Sequence, residues 1–224
     1  MKYGSVIFDM DGVVLNSLVD DEAWKYRAVR QALEELDFNP EKLSRREMDA
    51  LLGDYGRSKC IEACRRYDLN PGDVWQLIAE TTSVARIQQV KNGDFRLYSD
   101  ARVFLDALHR EDMKLGMISN APEPAVETTM KFFELKDYFD YYRGVEDFED
   151  LKQRKPHPDH INIAKAELKE RPSLYIGDKE SDVEAAKNAE IDSALINRNK
   201  IEPEIRPDYN VSDLEVLGNK LGLL

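Results

Sequence analysis

Ser5-Val6-Ile7-Phe8-Asp9-Met10-Asp11-Gly12 decides how the rest of the chain is read. Ser5-Val6-Ile7-Phe8 predicts a short buried strand that ends at Asp9, and Gly12 breaks the pattern. Asp9 and Asp11 are two residues apart, so on extended backbone their side chains face the same way and can address one ligand. Downstream the pattern turns helical. Trp24, Val29, Leu33 and Leu36 share one face of a helix over about 18–36, and Ser44 with Glu47 makes a capping box for a second helix to about Leu52. Gly53-Asp54-Tyr55-Gly56 is a turn, and Arg57 to Tyr67 is helical. Asn70-Pro71, a cap followed by proline at the first helical position, opens a long helix to about Val90. Residues 18–90 thus hold four helices and no strand.

Beyond Gly93 strand and helix alternate. Strands are predicted at Lys114–Ile118, near Tyr141–Gly144, at Ser173–Ile176 and at Ser193–Ile196. Helices are predicted over 100–111, to about Phe133, over 159–170, over 182–189, and from Ser212 with Glu215 in capping-box position. Ser119-Asn120-Ala121-Pro122 is expected to be loop. This alternation predicts an α/β fold with a parallel sheet covered on both faces. The first strand belongs with it, so 1–17 and 91–224 form a Rossmann-like core and 18–90 an inserted all-helical domain.

The chain has 224 residues, 42% apolar and 34% charged, an ordinary globular balance. A net charge of −12 repels a phosphate backbone and argues against nucleic acid, while a bound dication and local positive groups still admit a small phosphorylated ligand. Cys60 and Cys64 lie one helical turn apart with no further Cys or clustered His to complete a zinc set, so they read as small apolar residues. No segment approaches membrane-span length and the N-terminal apolar run is short for a signal peptide, which leads us to expect a cytoplasmic protein with no membrane partner.

Ligands of open parallel sheets bind beyond the carboxyl ends of the strands. Four polar clusters fall there: Asp9-Met10-Asp11-Gly12, Ser119-Asn120, Lys155 in the proline-stiffened Lys155-Pro156-His157-Pro158, and Gly177-Asp178-Lys179-Glu180-Ser181-Asp182. Each has a plain alternative as a turn, a helix cap or a helix-start acid, but all four must then coincide in order. Together they suit phosphoryl transfer. One carboxylate attacks phosphorus, and the other protonates the leaving oxygen and then deprotonates water. Asp178 completes an oxygen set for a hard dication, and few carboxylates beside phosphate and water suggest Mg²⁺ rather than Ca²⁺. Lys155 offers positive charge, Ser119 a hydroxyl donor, and backbone N–H groups at Met10, Asp11 and Asn120 add to the phosphate cradle.

These motifs, DMDGVV at 9–14, SN at 119–120, KPHP at 155–158 and GDKESD at 177–182, resemble those of the haloacid dehalogenase superfamily of phosphohydrolases over essentially the whole chain. The resemblance implies a Rossmann-like core with a helical cap inserted after the first motif, Asp9 as nucleophile and Asp11 as acid/base. It implies Mg²⁺ held by the Asp9 carboxylate, the Asp11 backbone carbonyl and Asp178, with Asp182 supporting the metal site through water or by holding Lys155. Asp11 points to phosphate chemistry, since the dehalogenase branch has no acid there. Asn16 stands where the family often has aspartate. The turn at 53–57 is the part of the cap expected to reach the site, with Arg57 a candidate grip on the substrate. Trp24 and Trp75 read as cap core, and His109, His157 and His160 as surface or loop residues. The cap has no histidine of the kind the superfamily's sugar-phosphate mutases carry, so hydrolysis of a small phosphate monoester, as in phosphoglycolate phosphatases, ranks ahead of a mutase and of a non-catalytic binding relative. A monomer or homodimer is expected.

Overall fold

The structure, a computed structural model, describes residues 2–17 and 23–224. The expected start of the helical block at Leu18 lies outside the described residues. The strands are β1 (Ser5–Phe8), β2 (Leu15–Asn16), β3 (Arg96–Leu97), β4 (Lys114–Pro122), β5 (Tyr141–Val145), β6 (Ser173–Gly177), β7 (Asp192–Ile196) and β8 (Tyr209–Val211). The helices are α1 (Ala23–Glu35), α2 (Arg45–Leu51), α3 (Arg57–Arg65), α4 (Pro71–Asn92), α5 (Ser99–Arg110), α6 (Glu123–Phe132), α7 (Asp159–Leu168), α8 (Glu180–Asn188) and α9 (Leu214–Leu221).

Six strands form one parallel sheet in the order β5-β4-β1-β6-β7-β8. The chain runs outward from β1 through β4 to β5, then returns to the other side of β1 for β6, β7 and β8. The strand order therefore reverses at β1, where an open sheet leaves a crevice. Alternation along β1 accounts for its apolar character. Val6 and Phe8 face a core with Phe104, Leu105 and Leu108 of α5, Val126 of α6 and Leu214 and Leu217 of α9. Ile7 faces the opposite layer, with Ile161, Ala164 and Leu168 of α7 and Ala185 and Ala186 of α8. Both faces are covered, as a purely parallel sheet requires.

The helical segment has a core of its own, built from Val29 and Leu33 of α1, Met48 and Leu51 of α2, Cys60 and Cys64 of α3, and Val74 and Ile78 of α4. Both cysteines are free and buried there. The capping box of Ser44 and Glu47 forms, and the Asn70 side chain accepts from the N–H groups of Gly72 and Asp73 at the head of α4. That helix runs to Asn92, two residues past its expected end, and stops at Gly93 in left-handed backbone. β2 and β3 pair antiparallel, Leu15 opposite Leu97, so the chain enters and leaves the helical segment side by side.

Some expectations need correction. Residues 119–122 continue β4, with a register break between Ile118 and Pro122, instead of forming a free loop. β8 was not expected, because three residues rich in polar side chains at a sheet edge carry little periodic signal. The cap of α9 is Asp213, which accepts from the N–H of Val216 at 2.8 Å, and not Ser212. His160 is completely buried, where a surface position was expected.

Phe8 anchors the larger core, with edge-on contacts to Phe104 and Phe139 at 6.0 and 5.7 Å between ring centres. Phe8→Ala is expected to lower the unfolding free energy by about 3–5 kcal/mol, measured as a fall in the urea midpoint at unchanged slope.

Candidate active site

Register brings the clusters to one rim. Phe8 is level with Met117 of β4 and Ile176 of β6, so Asp9 and Asp178, just past the ends of β1 and β6, come beside Ser119 within β4. The Asp9 N–H donates to Ile176 C=O at 2.8 Å, which carries the strand pairing one residue further. Two glycines make room for the acids. A Cβ on Gly12 (φ +80°) would lie 2.2 Å from an Asp178 carboxylate oxygen, and one on Gly177 would lie 2.1 Å from the Asp182 Cβ.

Lys155 is the hub. Its ammonium donates to Asp9 Oδ1 at 2.7 Å and to the Tyr175 hydroxyl at 2.8 Å, and lies 2.6 Å from Asp182 Oδ1. The other Asp182 oxygen accepts from the N–H groups of Asp178 and Lys179 at 3.2 and 3.0 Å. Lys155 is buried; burial alone would favour the neutral amine, but Asp182 and Asp9 outweigh it and hold the ammonium well above its ordinary pKa. Both Asp182 oxygens are thus engaged in orienting Lys155 and the head of α8.

The three acids crowd one another. Burial pushes the Asp9 carboxyl up to about 8; Lys155 pulls it down while Asp182, Asp178 and Asp11 push it further up. Burial, then Asp182, push Asp178 up to about 6. One oxygen each from Asp9, Asp178 and Asp182 lies within 4.8 Å of the others, and Asp178 Oδ1 is buried without a hydrogen-bond partner among the described residues. A compact set of hard oxygens, short of positive charge and with one orphaned buried carboxylate oxygen, fits a divalent cation such as Mg²⁺. Asp9 and Asp178 are the carboxylates suited to hold it; Asp182 is committed elsewhere.

Asp11 takes another partner. Its Oδ1 accepts from Arg86 of α4 and from the Ser17 hydroxyl. Burial alone would raise its pKa, but these donors outweigh it and hold the carboxyl below its usual value. Asp9, Asp11, Ser119, Asn120 and Lys155 line one cavity of about 180 Å³, with Trp24, Trp75 and Ile78 from the helical segment opposite. The Ser119 hydroxyl accepts from the Ala121 N–H at 3.1 Å. The Asn120 side chain accepts from the Lys155 N–H and donates to its C=O, at 3.0 and 3.3 Å, which fixes the backbone under the ammonium.

Arg57 is placed apart from the rest. It pairs with Glu149 and lies over the Phe148 ring at 4.8 Å, and it does not line the cavity. The turn beside it does approach: Arg154 donates to Leu52 C=O at 3.0 Å and occupies the space that a side chain at Gly53 would fill. Arg86, Arg154 and Tyr175 were not singled out from the sequence, and Lys179 was quoted within the 177–182 motif without a role of its own. Arg86 and Tyr175 sit within a regular helix and strand where nothing local marks them; the proximity of Arg154 to motif residues was the only available signal. His160 bonds Asp150 at 3.0 Å inside the fold. Trp24 packs in the sheet-domain core and Trp75 with Ala79, Val145 and Leu151, not in the core of the helical segment where both were expected, and both border the cavity.

The family model of the haloacid dehalogenase-like hydrolases matches residues 6–196. The chain belongs to that family and is an enzyme of its phosphatase class. It is 28% identical over 200 residues to the phosphoglycolate phosphatase of Cereibacter sphaeroides strain ATCC 17025, covering 85% of this chain and 83% of that one. Among solved structures, CbbY from Rhodobacter sphaeroides in complex with phosphate superposes with a TM-score of 0.71 at 20% identity over 96% of each chain. A HAD phosphatase from Thermococcus onnurineus gives 0.66 at 23% identity over 99% of this chain and 98% of that one. At these identities the structural likeness concerns the fold. No described helix is long and apolar enough to cross a membrane.

The cation fit has a direct check. Mg²⁺ at about 100 times its dissociation constant is expected to add about 2.7 kcal/mol to stability, read as a rise in melting temperature, and Asp178→Asn should abolish most of that rise. An equal rise in both proteins would place the ion elsewhere.

Proposed function

We propose that the chain is a Mg²⁺-dependent phosphatase that hydrolyses a small phosphate monoester through an aspartyl-phosphate on Asp9. The observation that carries this reading is Asp9 itself, held at the sheet's switch point by the Lys155 ammonium, with Asp11 two residues on in the same cavity. The phosphoglycolate phosphatase relatives support a small ester of that kind as substrate.

In this mechanism the free Asp9 oxygen attacks phosphorus while the bond to the ester oxygen breaks. Lys155 and the Ser119 hydroxyl stabilise the phosphoryl oxygens as charge shifts onto them. Asp11 gives its proton to the departing alkoxide, then takes one from the water that attacks the phosphoenzyme, which returns Asp9 and releases inorganic phosphate. Asp9 and Asp178, with the Asp11 carbonyl as the further ligand the resemblance implies, would hold a dication, which would supply charge neutralisation. Asp182 acts through Lys155, and Asn120 through the backbone beneath it. Residues 18–90 serve as the cap: their own core and their exit and entry through the β2–β3 pair support a unit that excludes water over the cavity. The partner is a small phosphorylated metabolite. Arg57, expected to grip it, pairs with Glu149 and lies outside the cavity lining.

Asp9→Asn should abolish phosphate release from phosphoglycolate in Mg²⁺, and Asp11→Asn should lower kcat by about 10²–10⁴-fold. Acid-quenched wild-type protein should carry hydroxylamine-labile phosphate, and Asp9→Asn none. Full turnover by Asp9→Asn would overturn the nucleophile.

A further inference from the structure

Asp11 is the proposed acid/base, yet in this structure Arg86 and Ser17 occupy its Oδ1. An oxygen held by both donors cannot at the same time serve a leaving group. Arg86 is itself nine-tenths buried, with its side chain 7% exposed, and its guanidinium lies over the Phe95 ring at 5.3 Å. Its Nε is buried without a partner among the described residues. It borders the same cavity as Asp9 and Lys155. A buried guanidinium that leaves one carboxylate needs another anion in its place, because an unpaired buried charge is strongly destabilising. Of the other described acids that line the cavity, Asp9 and Asp182 are paired with Lys155 and Asp54 lies toward Arg154.

We propose that Arg86 is the specificity-determining residue of the site, exchanging the Asp11 carboxylate for a carboxylate on the substrate's leaving group, so that the enzyme acts on phosphate esters of small hydroxy acids. This rests on the phosphatase reading above. A planar guanidinium fork that already holds one carboxylate is matched to another, and it binds it through paired, charge-assisted hydrogen bonds. The exchange breaks and forms only ionic hydrogen bonds at Arg86. It frees Asp11 to face the ester oxygen once the correct substrate is in place, whereas an uncharged ester leaves Arg86 on Asp11. Arg154, the other arginine bordering the cavity, is held by the Leu52 C=O of the turn, and its nearest acid, Asp54, is 3.8 Å away. It is the competing candidate and forms an arm of the test.

The test compares phosphoglycolate with 2-hydroxyethyl phosphate, two-carbon esters with a carboxylate and a hydroxyl at the same end. Wild-type kcat/KM should favour the carboxylate ester by about 10–100-fold, and Arg86→Gln should collapse that ratio to near unity, with Arg86→Lys intermediate. A purely structural loss, or a misplaced Asp11, would depress both esters alike and leave the ratio standing, which would overturn the proposal. So would a collapse in Arg154→Gln with the ratio kept in Arg86→Gln. Calorimetry with 3-phosphonopropionate and propylphosphonate, which cannot be hydrolysed, reads the same contact without turnover. The carboxylate should tighten binding about 10-fold or more to wild type and not to Arg86→Gln. Absence of ester hydrolysis with this binding difference intact would refute the phosphatase reading and leave the Arg86 assignment standing; equal binding of both phosphonates to wild type would refute the assignment.

Discussion

The buried Lys155 ammonium is the point at which distant parts of the chain become one site. It touches Asp9 at the end of β1, Tyr175 within β6 and Asp182 in the first turn of α8. An ammonium taken out of water is tolerated only when its partners are close and themselves hydrogen-bonded. Here Asp182 is braced by two backbone N–H groups and the Lys155 backbone by Asn120. The same constraint explains the glycines beneath the acids, since a side chain at Gly12 or Gly177 would occupy the space of Asp178 or Asp182. Electrostatics and packing thus demand the same residues.

That hub leaves a surplus of negative charge. Asp9 and Asp178 are both pushed upward in pKa by burial and by their neighbours, while Asp11 escapes through Arg86. Two carboxyls two residues apart therefore lie in opposite environments. As they stand, these directions are the reverse of what a nucleophile and a general acid need: Asp9 needs a cation beside it to ionise, and Asp11 must leave Arg86 to take up the proton it gives.

Much of this was legible in the sequence because strand ends in a parallel sheet are marked twice, by a buried apolar run and by the polar residues that follow it. Val6-Ile7-Phe8 and Leu174-Tyr175-Ile176 announce their strands, and register then forces Asp9 and Asp178 together. The N-caps at Ser44 and Asn70 were legible because a single side chain satisfies identifiable backbone donors. The edge strand β8 and the two-residue pair β2–β3 were not, since they are too short to show a period. Arg86 was illegible for a different reason. In a long helix an arginine seven residues before a glycine stop looks like any solvated one, and only the crossing of α4 over the rim tells which way it points. His160 shows the converse: a histidine after a proline-rich loop reads as exposed until the fold supplies Asp150.

The helix that carries Arg86 also belongs to both cores. Val74 and Ile78, near its start, pack in the helical segment; Val90, near its end, packs with Phe95 and Trp24 against the sheet domain. Between them the hydroxyls of Thr81, Thr82 and Ser83 bond back to carbonyls four residues earlier, at 2.8, 2.5 and 2.6 Å, an arrangement that bends helices. Arg86 follows directly after this stretch. Arg86 is thus carried on the half of α4 nearer the sheet domain, while the other half packs in the helical segment. A contact at the leaving group and the position of the segment above it are then coupled through one helix, with the Asp11–Arg86 pair as the place where the two meet.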